Sequence, residues 1–183
     1  MSDKYNSKLH MGPLDQFVNR LRDRYSNGYV PQFDDKDGGV DAEVLFVFEK
    51  PGPMTDPERG GSGLISQDND DPTARATKTF LSDAGIDRKK IVIWNTISAW
   101  NGTIKITAEE KRYALEEFQE LLSILKKVRC IVLVGRKAQE IEKKIDLSNY
   151  QILRSYHPSQ RVKNRYPVNW KRIPHVWRQS NAD

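Results

Sequence analysis

Residues 43–55 read Glu-Val-Leu-Phe-Val-Phe-Glu-Lys-Pro-Gly-Pro-Met-Thr. Val44 to Phe48 form an unbroken apolar run, too short for a membrane span and rich in β-formers. Such a run predicts a strand covered on both faces, as in a parallel sheet. Pro51, Gly52 and Pro53 end it, because they cannot continue a ladder. Glu49 and Lys50 stand just before that stop. Open α/β sheets hold their ligands outside the carboxyl ends of the strands, so a carboxylate and an ammonium at this point mark a candidate site.

The flanking sequence supplies the rest of an α/β pattern. Residues 13–25 predict an amphipathic helix with Leu14, Phe17, Val18 and Leu21 on one face, ended by Asn27 and Gly28. Residues 31–42 are polar and turn-rich, and 54–71 read as one long loop of the kind that is usually functional or disordered. Asp71-Pro72 opens a helix, with Asp as N-cap and Pro at the first turn. Its inner face is Ala76, Phe80, Leu81 and Ala84, and Gly85 closes it. Ile91–Trp94 is a second strand, ending at Asn95. Thr107 with Glu110 forms a capping box for a long helix with Leu115, Phe118, Leu121, Leu122 and Leu125 as its stripe. Cys130–Val134 is a third strand stopped by Gly135, and residues 137–145 a helix. Gln151–Tyr156 is a fourth strand ending at His157-Pro158-Ser159, and residues 167–177 are partly helical. Strands alternating with helices predict a single three-layer α/β/α domain, 1–183, around a four-stranded, mostly parallel sheet.

Composition narrows the function classes. The 183 residues are 37% hydrophobic and 30% charged, which fits a soluble protein with a modest core. No long apolar stretch predicts a membrane span, and the start of the chain has no signal-like segment, so a cytoplasmic, nucleoid-associated monomer is expected. Cys130 is the only cysteine, which excludes an internal disulfide, a cysteine-held iron–sulfur cluster and a Cys-based zinc site. No metal and no organic cofactor are expected. Of the net charge of +5, residues 150–183 hold seven basic residues against one acidic, leaving the first 149 residues slightly acidic. A basic end on a near-neutral body suits a polyanion such as DNA, or simply a solvated face.

In a parallel sheet the strand ends share one edge, so Glu49 and Lys50, Asn95, and His157 with Ser159 converge on one cleft. Singly, each has a plainer reading: Asn95 as a turn residue, His157 as a hydrogen-bonded histidine, Glu49 and Lys50 as a surface ion pair. Trp94 reads as core. Trp100, just past Asn95, is a candidate wall of the cleft, and Trp170 and Trp177 pack the basic tail onto the body.

Phe48-Glu49-Lys50-Pro51-Gly52, the strand ending Trp94-Asn95, and Tyr156-His157-Pro158-Ser159, in this order over residues 43–178, resemble the uracil-DNA glycosylase superfamily. The segments 62–66 and 69–74 resemble a bacterial branch without iron–sulfur cysteines. The resemblance implies a DNA glycosylase that flips a damaged base into a pocket and hydrolyses its glycosidic bond. Asn95 would read the base through donor and acceptor of one amide. His157 would stabilise charge on the departing base. Ser159 would hold phosphate, and Arg161, with Lys163 nearby, would fill the gap left by the flipped base or contact phosphate. Three departures stand out. Lys50 replaces the Asp that orients water in the best-known branch, leaving Glu49 as the expected water-positioning carboxylate, with Asp56, Asp68 and Asp70 as substitutes. Lys50 itself would bind phosphate, pair with Glu49 or attack the sugar. Gly52 replaces a bulky Tyr beside Pro51, widening the pocket, and Ile65 stands where relatives stack a Phe. A catalytically silent base- or DNA-binding relative is the alternative. An unrelated nucleotide-handling α/β enzyme would need a Gly-rich phosphate loop after the first strand, and none follows it.

Overall fold

The computed structural model describes residues 9–181. Four strands, β2 (Val44–Phe48), β4 (Ile91–Asn95), β5 (Cys130–Val134) and β6 (Gln151–Ser155), form one sheet in the order β4-β2-β5-β6. All pairings are parallel. Every residue of β2, β4 and β5 is buried, as an apolar run covered on both faces requires. The expected three-layer architecture is the one observed.

Side chains alternate along each strand, so the two faces have separate partners. Trp94 stacks on Phe33 with ring centroids 4.0 Å apart and meets Phe17 edge-on at 5.9 Å. Phe17 belongs to α1 (Gly12–Arg24), which packs against α3 (Ala108–Ile124) through Arg20–Glu120 and Arg24–Glu117 ion pairs. Phe46 meets Trp177 at 5.0 Å. Trp177 lies in α6 (Pro167–Arg178), next to Phe80 of α2 (Pro72–Asp83). Each buried aromatic or aliphatic side chain contributes about 1.5–3 kcal/mol relative to exposure.

Local signals act as the sequence implies. The Asp71 carboxylate accepts from the Thr73 and Ala74 amides, and the Thr107–Glu110 capping box is complete. Other boundaries moved. The first helix ends at Arg24 rather than at Asn27-Gly28. The helix expected over 137–145 is one turn, α4 (Arg136–Gln139), followed by a 3₁₀ turn at Glu140–Lys143. A further short helix, α5 (Gln160–Arg165), follows β6.

The largest difference lies in the two stretches read as loops. β1 (Gln32–Phe33) and β3 (Leu64–Ile65) pair in parallel as a separate two-stranded ribbon. Charge fixes this ribbon to the body. Arg88 reaches Asp34 at 2.6 Å, Asp37 at 2.7 Å and Asp68 at 2.8 Å. Asp34 also accepts from Ser66, and Asp68 from Lys36 and Lys78. Asp34 and Asp37 are buried, so removing their partner strands two charges in the interior. Arg88→Leu is expected to lower the unfolding free energy by about 3 kcal/mol in urea titrations near neutral pH; an unchanged midpoint would show the cluster to be ornamental.

Candidate active site

The strand exits meet at one edge of the sheet. Phe48 is the register partner of Asn95, and the pairing continues past the sheet: Thr96 N–H donates to the Phe48 carbonyl at 2.8 Å, and Ile97 N–H to the Glu49 carbonyl at 2.9 Å. Two strands further on, β6 delivers His157, whose ring meets Phe48 edge-on at 5.6 Å. Gly135, at φ +87°, ends β5 directly behind this histidine, and a Cβ there would stand 3.2 Å from the Cβ of His157. Only glycine suits that position on both counts.

A cavity of ≈ 320 Å³ opens at this edge. Of the residues singled out in the sequence, it is lined by Lys50, Pro51, Gly52, Ile65, Asn95 and His157. A Cβ built on Gly52 meets nothing within 4 Å, so the space beside Pro51 is open. Asn95 is buried at 6% exposure, and no hydrogen bond joins its side chain to another described residue. Burial pushes His157 down to about 4, opposed by the charge of Asp71. The imidazole is therefore neutral at physiological pH, with a donor and an acceptor nitrogen.

Glu49 and Lys50 do not pair, because successive residues leaving a strand face opposite sides. Lys50 follows Phe48 toward the cavity, but its ammonium turns to a buried cluster of acceptors. It donates to Glu110 Oε1 at 2.7 Å, Asn101 Oδ1 at 2.8 Å and the Lys105 carbonyl at 2.9 Å. The side chains of Lys50 and Glu110 are 3% and 6% exposed. All three N–H donors are thus used within the protein. Glu49 goes to the other face, lines a separate cavity of ≈ 80 Å³ and stands 3.5 Å from Lys137.

The carboxylate that does line the main cavity is Asp71, read from the sequence as a helix cap alone. One oxygen serves as that cap. The other loop carboxylates lie elsewhere: Asp56 caps the Glu58 amide, Asp68 pairs with Arg88, and Asp70 with Arg75. Trp100 is not part of the lining. It bridges to Tyr29 in antiparallel fashion, and its buried indole N–H has no partner. Ser159 caps α5 by accepting from the Val162 amide. Arg161 and Lys163 are exposed on α5, and the Lys163 ammonium lies 5.8 Å above the Trp170 ring.

Sequence reasoning missed Gln67, Asn69 and Thr77 in the lining. Asn69 is engaged on both sides, donating to the Leu64 carbonyl and accepting from Ser62. Gln67 has a buried amide nitrogen without a partner. Among the described residues no group of three His, Cys, Asp or Glu is placed to hold a metal ion, and no helix is long and apolar enough to cross a membrane.

Comparison with known proteins gives three findings. A family model for the uracil DNA glycosylase superfamily matches residues 36–179. A solution NMR structure from Methanosarcina acetivorans, assigned provisionally as a uracil DNA glycosylase, is similar with a TM-score of 0.54 at 18% identity, covering 77% of this chain and 92% of that one. The wild-type UNG crystal structure from Nitratifractor salsuginis gives a TM-score of 0.48 at 13% identity, covering 92% of this chain and 89% of that one. At such identities the first likeness is one of fold. No curated protein matches.

The depressed His157 makes a prediction whose sign is fixed. Between about 6.5 and about 4 the unfolded histidine binds a proton that the folded one refuses. Its contribution is intact above 6.5 and is lost as pH falls through that window. The fall in unfolding free energy from pH 7 to pH 4.5 should be about 2 kcal/mol smaller in His157→Gln than in the parent; parallel curves would refute the neutral state.

Proposed function

The chain belongs to the uracil DNA glycosylase superfamily, and from that premise we propose that it is a DNA glycosylase that removes uracil or another deaminated base by hydrolysis. The observation that carries this reading is the arrival of Asn95 and His157, from two parallel strands, in one cavity beside Asp71. A base leaving its sugar takes negative charge and leaves positive charge behind. In the proposed pose the Asn95 amide pairs with the base edge, offering a donor to one carbonyl and an acceptor to the neighbouring N–H. The neutral His157 donates to the base oxygen on which charge develops, and a donor that is fixed before the reaction needs no rearrangement. Asp71 offsets the sugar cation and orients the attacking water. It takes the part expected of Glu49, which stands on the other face of the sheet. Water is the nucleophile, since the Lys50 ammonium is committed to Glu110, Asn101 and Lys105. Pro51 and Gly52 bound the open side, and Ile65 packs on the base face.

DNA is the partner in this proposal. Ser159, Arg161 and Lys163 follow His157 on the basic segment, where they would contact backbone phosphates next to the flipped nucleotide. A second reading, a relative that binds a base without cleaving it, draws on the same Lys50: the position where the best-known branch keeps its Asp holds a locked ammonium.

The deciding experiment incubates the purified protein with oligonucleotides carrying uracil, hypoxanthine or xanthine, single-stranded and mismatched, with and without alkali. Breaks that need alkali are expected. Breaks without alkali would point to a lyase, and base binding without any break to the silent relative. Asn95→Ala should abolish base selectivity. Asp71→Asn keeps a capping oxygen, so its melting temperature should hold, while its single-turnover rate falls by about 10²–10³-fold; full activity in that variant would remove Asp71 from the chemistry.

DNA affinity should follow a linear log–log salt dependence. Replacing Arg161 and Lys163 together by Ala should reduce its slope by about 2 on duplex DNA, roughly one phosphate contact each. An unchanged slope would place the contact surface elsewhere.

A further inference from the structure

Helix α2 walls two hollows. Thr73, Ala74 and Thr77 line the cavity that holds Asn95 and His157. Pro72, Ala76 and Thr79 line a separate groove of ≈ 380 Å³ on the neighbouring face of the same helix. The helical repeat puts these two stripes side by side. The other wall of the groove comes from α5 and α6, through Lys163 and Trp170. The groove thus lies between the helix that Asp71 caps and the helix that follows His157. Trp170 is the tryptophan that reaches the surface here, since Trp94, Trp100 and Trp177 are buried. Its ring meets Phe80 in a T-shaped contact at 4.9 Å, and the Lys163 ammonium stands 5.8 Å from its centroid. No carboxylate among the described residues pairs with Lys163. Arg75, also in the lining, pairs with Asp70, whose side chain is 90% exposed, so that pair is weak in water and opens readily. An aromatic ring beside one unpaired and one loosely paired cation suits a nucleotide, with base on the ring and phosphate on the cations.

We propose that this groove holds an unpaired nucleotide adjacent, on the damaged strand, to the one in the cavity. The identity of the strand rests on the proposed glycosylase reading, which the groove narrows. A base inside a duplex is stacked and paired, and it cannot turn onto Trp170 until it is freed. Single strands, and strands with an unpaired flank, are therefore the preferred substrate. Pro72 and Ala76 give the base apolar neighbours, while Lys163 and Arg75 take the phosphate beside it. Residues 150–183, with seven basic residues against one acidic, draw the strand toward this side of the molecule.

The test measures affinity by fluorescence anisotropy on a labelled oligonucleotide carrying 2′-fluorinated deoxyuridine or deoxyinosine, whose glycosidic bond resists cleavage. The strand is used alone, paired, and with an abasic residue on the 5′ or the 3′ side of the damage. Wild type is expected to bind the single strand about 10-fold tighter than the duplex, and one of the two abasic flanks to lower single-strand affinity about 10-fold. Trp170→Leu should show the same loss on the intact single strand, little change on the duplex, and no further loss from the abasic flank. Thr79→Glu places a carboxylate in the groove from an exposed helix position. It leaves the core untouched and should also erase the flank effect, so the test holds even where Trp170→Leu fails to fold. Equal losses on single strand and duplex, a wild type indifferent to both abasic flanks, or no single-strand binding would overturn the inference. Binding needs no cleavage, so the two readings fail separately. A flank effect without excision of any base sustains the groove and defeats the glycosylase reading, and excision without a flank effect does the reverse.

Discussion

Four strands running the same way leave the sheet at the same edge, and everything proposed for this protein depends on that constraint. The hydrogen-bonded register pairs Phe48 with Asn95 and Val134 with Ser155, so the segments after each strand start level with one another. Backbone bonds from Thr96 and Ile97 to Phe48 and Glu49 carry the alignment two residues past the sheet. The positive φ of Gly135 then turns the chain away just where His157 needs room. No side chain has to be flexible for these groups to meet, because the ladder has already set their spacing.

Charge is distributed to suit that edge. The buried ionic groups are immobilised away from the cavity: Lys50 on Glu110, Arg88 on three aspartates, Glu117 on Ser98, Tyr25 and Arg24. Within the cavity the polar groups are amides, hydroxyls and a neutral imidazole, with Asp71 as the carboxylate and Lys50 lining it with its ammonium held by Glu110. A flat, uncharged, hydrogen-bonding ligand suits such a lining better than a phosphate does. Glu110 shows how economically the frame is built. One of its oxygens completes the capping box of α3 and the other holds Lys50, so one carboxylate fixes a helix start, a strand exit and the loop between them.

Most of the fold was legible because its signals are local. Apolar runs gave the strands, Asp71 and Thr107 gave the helix starts, and strand ends gave Asn95 and His157 as cavity residues. What was not legible depends on which way a side chain faces once the sheet exists. The alternation that places Phe48 and Lys50 together and sends Glu49 to the opposite face was present in the sequence, and applying the period of two beyond the last apolar residue separates them. The β1–β3 ribbon gave no periodic signal, being two residues per strand. Glu110 and Glu117 are polar letters in an amphipathic helix, and their burial appears only when Lys50, Ser98, Tyr25 and Arg24 arrive from distant segments. Gln67 gave no signal at all, since what marks it is the absence of a partner.

That absence is informative because folded proteins seldom tolerate it. Almost every buried polar atom is paired, and an orphaned one lowers stability by an amount that matters against a total of only about 5–15 kcal/mol. Asn69, Ser62 and Ser66 show that this segment pairs its side chains where pairing serves only the fold. Gln67 of the same segment has a buried amide nitrogen without a partner, as Gln32 and Trp100 have an unpaired buried atom away from the cavity. Asn95 differs: it ends a strand of the central sheet and lines the cavity, and no hydrogen bond joins its amide to another described residue. That amide, fixed by backbone register, and the neutral imidazole of His157 are hydrogen-bonding groups at the cavity that the fold itself does not use.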